Sequence, residues 1–324
     1  MRSVGITLVA GLCTACRARE AQPNPPDAAV RAVAVAVAPS ASVPAPLSVP
    51  RTLTVLATGQ NHPRFVAASA SAVFFSAYEA SRLQAVPKKG GALTTLVEDA
   101  EDAYGVATDG DVVVVAGRTL EGAVWRAPLR GGRPAIVARA EFPSAVALDH
   151  GDVYWVTRDT VERARLDGRD RTIVARGQAG PHGLAARGGT AYWSNYHGGS
   201  VATSSGGGRV LASGLANPAG IALAGEEVIV ACTGDGTVRG VALADGGAAR
   251  VLASGLSYPS EVAVDAAFAY VTTASGSVLK IPLAGGAPIV LAEGQLAPAG
   301  IAVDDESVYF AAEHAGSIVK ITPK

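Results

Sequence analysis

The sequence predicts an all-β fold, a seven-bladed β-propeller over residues 51–324. Three observations support this prediction. A unit of about 40 residues repeats seven times, each complete unit contains four short apolar runs, and the start of the domain supplies the fourth run that the last unit lacks. Four short strands in a unit of this length are typical of one propeller blade.

The repeat is recognised by a marker of Pro, two residues and a small apolar run. Successive markers are 37 to 41 residues apart. The marker positions are Pro63, Ala103 (where Pro is replaced), Pro143, Pro181, Pro218, Pro259 and Pro298. Such a regular period over the whole domain indicates one ring of equivalent blades rather than several separate domains.

Each unit continues with a bulkier second run, a third run, a turn and a fourth run. Paired glycines such as Gly90-Gly91 and Gly285-Gly286 precede the fourth run. Because glycine tolerates the positive φ angles of tight hairpins, the third and fourth strands should be antiparallel neighbours. The first runs are rich in Gly and Ala, as expected where blades converge on an axis, whereas the tryptophans Trp125, Trp155 and Trp193 fall in the outer strands.

The last unit ends at Lys324 after three strands. Its fourth strand is predicted at residues 51–58, where Leu53-Thr54-Val55-Leu56-Ala57 matches the fourth run Arg209-Val210-Leu211-Ala212 of another unit. We therefore expect the N-terminal strand to complete the last blade, which closes the ring without an open sheet edge between the first and last blades.

Residues 1–16 are predicted to be an export signal. A charged start and the short apolar stretch Val4–Leu12 are typical of a secretory leader and too short to span a bilayer. Its end, Leu12-Cys13-Thr14-Ala15-Cys16, resembles a bacterial lipobox, which implies cleavage before Cys16 and lipidation of Cys16. Cys13 stands where Leu is usual, so ordinary leader cleavage at a small residue remains the alternative.

Residues 17–50 are rich in Pro and Ala and are predicted to be a disordered tether. A leader followed by a spacer predicts a location in the bacterial cell envelope, with a lipid anchor at the outer membrane or in the periplasm. The alternative is a secreted protein. If Cys16 carries a lipid, the spacer holds the propeller away from the membrane surface.

Composition argues against a nucleic-acid partner and against a disulfide framework. The net charge of −1 and a pI near 6.5 give no basic surface for nucleic acid. Once the leader is removed no intramolecular cysteine pair remains, so no disulfide holds the fold, and the apolar surroundings of Cys232 predict a buried thiol. We expect a monomer with no cofactor.

The pattern Pro-x-Gly-Ile-Ala-Val-Asp, an aromatic strand and Gly-Ser-Ile-Val-Lys-Ile resembles the NHL and YWTD-like propeller repeats, best at 298–321 and nearly as well at 259–281. The resemblance implies the propeller fold. Families in this broad group include protein-binding modules, extracellular sensor domains, lactonases of the gluconolactonase type and streptogramin B lyases. The fold therefore leaves the function open.

The residue after each marker Pro should point toward the mouth of the central channel, together with the loops that join second to third strands. The candidate ligand-binding residues at this face are Arg64, Tyr104, His182, Asn195, Tyr196, His197, Glu261, Glu313 and His314. In the innermost ring only His182 and Glu261 are strong metal ligands, whereas a catalytic metal site takes three or more. No metal is expected.

Two clusters are predicted at this face. One combines His182, Asn195, Tyr196 and His197, and the other combines Asn61, His62, Arg64, Glu313 and His314, with Glu261 nearby. Three blades separate His197 from His314, which is too far for one shared metal ion. The aspartates that end several first strands, Asp109, Asp149, Asp265 and Asp304, fall at the opposite face and should bond to turn amides.

The leading hypothesis is a binding propeller without enzymatic activity that presents its loop face to a protein, peptide or glycan. The alternative is a hydrolase or lyase of the lactonase or streptogramin lyase type, which would use the histidines and glutamates of the two clusters. A tightly held stoichiometric divalent ion would favour the enzyme.

Overall fold

The structure, a computed structural model, describes residues 50–129, 132–244 and 247–324. Over these ranges the chain forms 28 strands and no helix, so the described part contains no helix able to cross a membrane. The predicted export signal, Cys13, Cys16 and the predicted tether up to residue 49 lie outside the described residues.

The strands form seven four-stranded antiparallel sheets, which confirms the predicted seven-bladed propeller. The chain begins with β1 (Thr52–Ala57), which belongs to the last blade. Blade 1 is β2 (Pro63–Ala68), β3 (Ala72–Ala77), β4 (Arg82–Pro87) and β5 (Thr94–Val97). Blade 2 is β6 (Ala103–Thr108), β7 (Val112–Gly117), β8 (Ala123–Pro128) and β9 (Ala135–Arg139). Blade 3 is β10 (Val146–Asp149), β11 (Asp152–Val156), β12 (Val161–Arg165) and β13 (Thr172–Ala175).

The second half of the ring repeats this order. Blade 4 is β14 (Pro181–Arg187), β15 (Thr190–Asn195), β16 (Ser200–Thr203) and β17 (Arg209–Ala212). Blade 5 is β18 (Pro218–Ala224), β19 (Glu227–Cys232), β20 (Thr237–Ala242) and β21 (Arg250–Ala253). Blade 6 is β22 (Pro259–Val264), β23 (Phe268–Thr273), β24 (Val278–Pro282) and β25 (Ile289–Ala292). Blade 7 is β26 (Pro298–Val303), β27 (Val308–Ala312), β28 (Ser317–Thr322) and β1.

The ring closes through the N-terminal strand, as predicted. β1 pairs antiparallel with β28, so that Thr52 lies opposite Thr322 and Val55 opposite Val319. The innermost strands also contact one another around the ring, and β26 of blade 7 packs against β2 of blade 1. The first and last blades are therefore joined both at the axis and by a shared sheet.

The innermost strands need small residues because they approach one another closely. A Cβ atom added to Gly105 would lie 2.2 Å from the carbonyl oxygen of Ser144 in blade 3. At Gly300 an added Cβ would lie 2.6 Å from the carbonyl oxygen of Arg64 in blade 1. Neither strand can move away without opening the ring, so glycine at these positions permits the observed packing.

Large side chains fill the wider spaces between blades. Trp155, Trp193, Phe75 and Phe310 are fully buried between neighbouring sheets, as the sequence pattern predicts. Burial of each such side chain contributes roughly 1.5–3 kcal/mol to folding. Cys232 is also fully buried, and burial raises the pKa of its thiol to about 11, which keeps it protonated and unreactive.

The aspartates at the opposite face bond to turn amides. The Oδ1 atom of Asp304 accepts the N–H groups of Glu306 and Ser307, and Asp109 and Asp265 make the equivalent bonds in their own turns. Burial opposes ionisation of Asp304, but these bonds and those from Lys88 and Tyr309 lower its pKa to about 2. These hydrogen bonds explain the aspartates as structural residues, without a ligand.

Candidate functional site

The channel mouth is built from one backbone position that recurs in six blades. The residue after each second strand donates its N–H to the carbonyl of the residue before the marker; Tyr196 bonds in this way to Gly180 at 2.8 Å and Glu313 to Ala297 at 3.0 Å. The residues that share this position are Tyr78, Arg118, Tyr196, Thr233, Ala274 and Glu313. The repeat therefore places these six side chains around the mouth.

The two halves of the mouth differ in chemistry. Blades 1 to 4 contribute large aromatic and basic side chains, whereas blades 5 and 6 contribute Thr233, Ala274, Ala219 and Ser260. A depression of about 580 Å³, which we call the basin, lies on the first of these halves. It is lined by Tyr78, Asp102, Tyr104, Arg118, Phe142, Ser144, Thr157, Arg158, Gly180, Pro181, His182, Tyr196 and His197.

Tyr104 lies at the centre of a cationic and aromatic group. Its ring centroid is 5.0 Å from the guanidinium carbon of Arg64, 4.7 Å from that of Arg118, and 4.8 Å from the ring of Phe65. Burial raises the pKa of the Tyr104 hydroxyl, although the two arginines partly oppose this. Tyr104 thus remains a neutral phenol that holds two guanidinium groups by cation–π contact.

A third arginine in contact with an aromatic ring occupies the rim contributed by blade 3. The guanidinium carbon of Arg158 lies 3.8 Å from the ring centroid of Phe142. Arg158 and Arg118 are both exposed, and neither forms an ion pair with any residue in the described ranges. The basin therefore presents two charged groups that have no acidic partner in this part of the chain.

Blade 4 contributes the predicted cluster of two histidines and a tyrosine. The ring of Tyr196 lies 5.7 Å from that of His182 and 5.2 Å from that of His197. Gly180 is needed beside them, because a Cβ atom there would lie 2.5 Å from Cδ2 of His197. Asn195, predicted in the same cluster, is instead buried inside the blade and donates to Gln178 and Ser200, both at 3.1 Å.

His182 stands where the basin meets the central channel. Burial lowers its pKa to about 4, helped by the positive charges of Arg118, Arg64 and His197, so the imidazole is neutral at pH 7. Its Nδ1 atom is buried and has no hydrogen-bond partner in the structure. A buried nitrogen without a partner costs free energy, which a bound ligand could recover.

Below the basin the channel narrows to a cavity of about 130 Å³, which we call the throat. His182, Phe65 and Glu261 are among the side chains that line it. Burial raises the pKa of Glu261 from 4.5 to about 8, although Arg64 opposes the shift. At neutral pH the throat therefore contains a neutral imidazole and a mostly protonated carboxyl group.

Four residues of the second predicted cluster, His62, Arg64, Glu313 and His314, come together where blade 7 meets blade 1, whereas Asn61 is exposed. Glu313 lies 3.4 Å from both His62 and Arg64, and the rings of His62 and His314 are 6.0 Å apart. Arg64 also contacts Tyr104, so it connects this cluster to the basin. Within the described ranges no three His, Cys, Asp or Glu side chains are placed to hold a metal ion.

Sequence reasoning missed the large basin side chains Tyr78, Arg118, Phe142 and Arg158, as well as Asp102 and Thr157. After the second strand, the sequence pattern predicts candidate side chains only in the loops of blades 4 and 7. Tyr78 and Arg118 occupy that same position in blades 1 and 2, so an alignment of all seven loops would have found both. The stacking of Arg158 on Phe142 has no equivalent signal in the repeat.

No family model and no curated protein matches this chain. Several solved structures do match it. A nidogen/laminin complex is 24% identical over 63% of this chain and 87% of that chain, with a TM-score of 0.54. A streptogramin B lyase structure is 13% identical over 85% of this chain and 98% of that chain, with a TM-score of 0.72. A catalytically inactive variant of virginiamycin B lyase from Staphylococcus aureus, with quinupristin, is 15% identical over 85% and 100%, with a TM-score of 0.71. At these identities the similarity shows the β-propeller fold.

Proposed function

We propose that the protein is a binding propeller of the bacterial cell envelope and that its basin receives a segment of a protein or peptide ligand. The observation that supports this most directly is the composition of the basin, where Tyr104, Tyr196, Arg118 and Arg158 line one concave surface. Tyrosine and arginine are the residues that most often dominate the energy of protein interfaces. A propeller of similar fold has been seen in a complex between two proteins, nidogen and laminin.

The basin supports a peptide ligand better than a neutral glycan. Sugar rings commonly pack on an open aromatic face, but the rings of Tyr104 and Phe142 are covered by guanidinium groups. The basin lining also contains no Asn or Gln, whose amides both donate and accept hydrogen bonds. Of the ligands that the sequence leaves open, a peptide segment therefore fits best.

An array of random-sequence peptides tests this function with the purified chain. Ser144→Trp would fill the basin with a bulky side chain, and Ser71→Trp would add the same side chain at an exposed turn between β2 and β3. We expect the wild type and S71W to select the same peptides and S144W to lose them. If no peptide distinguishes the wild type from S144W, the basin is not a peptide-binding site.

A second candidate function is a hydrolase or lyase, favoured by His182 and Glu261 in the throat and by the similar fold of the streptogramin lyases. The chain should be incubated with quinupristin, with and without divalent cations, and the compound followed by chromatography. Loss of quinupristin that depends on His182, tested with H182A, would favour the enzyme. A compound that persists in all reactions would leave no support for this activity.

We also propose that Cys16, outside the described residues, carries a lipid anchor. The support is the sequence alone: Thr14 and Ala15 are the small residues that such processing requires. Stable attachment needs more than one acyl chain, because a single chain binds membranes only reversibly.

A further inference from the structure

We propose that the basin selects acidic peptides and binds their carboxylate groups between Arg118 and Arg158. This inference rests on the proposed peptide-binding function and names the chemistry of the ligand. Nothing in the repeat itself requires two stacked arginines at this place, since blades 5 and 6 carry small residues at the mouth.

The first argument is that both guanidinium groups are held in place and exposed. Arg118 packs on Tyr104 at 4.7 Å and Arg158 on Phe142 at 3.8 Å. A stacked guanidinium group keeps its N–H donors in the plane of the group, directed away from the ring and available to a ligand. Each ring contact restricts its guanidinium group, so binding would cost less side-chain entropy than it would with free arginines.

The second argument is that the charges of the two arginines are not neutralised by ion pairs in the described part of the chain. Several arginines elsewhere do form ion pairs, as Arg171 does with Glu162 at 2.8 Å and Arg82 with Glu98 at 2.9 Å. Asp102 is the one carboxylate of the basin lining. The basin therefore carries a net positive charge, which attracts acidic ligands.

The third argument is the unpartnered Nδ1 atom of His182. It is buried where the basin meets the throat. A neutral imidazole offers one N–H donor and one acceptor, so it can complete the coordination of a carboxylate held above it. This buried nitrogen is independent evidence for a polar ligand, because the protein leaves it unsatisfied.

The size of the basin indicates a short segment with more than one acidic side chain. A volume of about 580 Å³ is in the range of pockets that enclose small ligands, and it holds only a few residues of a peptide. Two arginines on different blades can each receive one carboxylate. Charge-assisted bonds of this kind contribute more than neutral hydrogen bonds do.

The experiment compares two fluorescent peptides, a capped pentaglutamate and a capped pentaglutamine, by anisotropy with the full chain. We expect pentaglutamate to bind at least about tenfold more tightly, and R118Q or R158Q to weaken its binding about tenfold or more, since each variant loses a charge-assisted hydrogen bond. Arg133→Gln is the matched control, because Arg133 is exposed in the turn between β8 and β9 and outside the basin. It should leave the affinity unchanged.

Equal affinities for the two peptides would overturn the inference. So would a loss of pentaglutamate affinity in R133Q as large as that in R118Q or R158Q. The array separates this failure from that of the proposed function. Peptides that bind the wild type but not S144W and contain no excess of Asp or Glu would leave the binding function intact and overturn the acidic selectivity. Absence of any S144W-sensitive peptide, together with no pentaglutamate binding, would overturn both.

Discussion

Arg64 of the first blade and Glu313 of the last blade form an ion pair across the ring closure, with 3.4 Å between Nη1 and Oε1. The pair lies at the mouth, whereas β1 and β28 join the same two blades at the outer edge. Closure of the ring is therefore tied directly to the position of the arginine that contacts Tyr104.

The Glu313 carboxylate should stabilise the fold through this pair. We expect Glu313→Gln to lower the free energy of unfolding by about 1 kcal/mol, because Glu313 is mostly buried and its loss leaves Arg64 without its ion-pair partner, whereas His62 keeps Glu79 at 3.5 Å. Chemical denaturation measures the change. Glu79→Gln is the control, since the Glu79 side chain is 58% exposed. Equal effects of the two substitutions would contradict the structural role of Glu313.

Deletion of residues 51–58 should expose the edge of blade 7. The truncated protein would lose the pairing of β1 with β28, and we expect poor solubility or a marked loss of cooperativity in thermal unfolding. Deletion of residues 17–45 is the matched truncation and should leave the unfolding curve unchanged. Identical unfolding of both truncated proteins would show that β1 is not required for closure.

Glu261 predicts a pH dependence of stability. Its pKa is raised to about 8, so the folded state holds the proton more tightly than the unfolded chain does. Its contribution to stability is complete below pH 4.5, the ordinary pKa, and is lost as the pH rises through about 8. Glu261→Gln should therefore match the wild type near pH 4 and exceed it on the order of 2 kcal/mol at pH 9.

The matched control for this measurement is Glu226→Gln, since the Glu226 side chain is 92% exposed. Its stability curve from pH 4 to 9 should run parallel to that of the wild type. If E261Q runs parallel as well, the carboxyl group of Glu261 is not buried in the throat as described.

The proposed anchor predicts that Cys16→Ala moves the protein from the membrane fraction to the soluble fraction. Cys13→Ala should do so less or not at all, because Leu12 before Cys13 is not a small residue. Immunoblots of the two fractions measure the change. Mass spectrometry of the native protein that finds an unmodified N-terminus after Cys16 would contradict lipidation and leave a secreted propeller.

The repeat explains why the fold could be predicted from the sequence and the basin only in part. The same residue types recur at the same positions of most blades, so Pro298, Gly300 and Asp304 could be interpreted by comparison with the other units. The basin depends on differences between blades. Arg158 stacks on Phe142 through loop geometry, and the side chain of Asn195 turns into the blade to meet Gln178, which no repeat position indicates.

The most direct test of a binding site in the basin is to substitute residues in the two halves of the mouth. Each variant is tested with the peptide from the array that binds the wild type most tightly. Tyr196→Ala and Arg118→Gln alter the basin, whereas Thr233→Ala and Ser260→Ala alter blades 5 and 6. Circular dichroism should first establish that all four variants fold, and the dissociation constants are then measured by calorimetry. We expect losses of about tenfold or more for the two basin variants, as for central interface residues, and less than about twofold for the other two. Losses confined to T233A and S260A, or equal across the four variants, would contradict a binding site on blades 1 to 4.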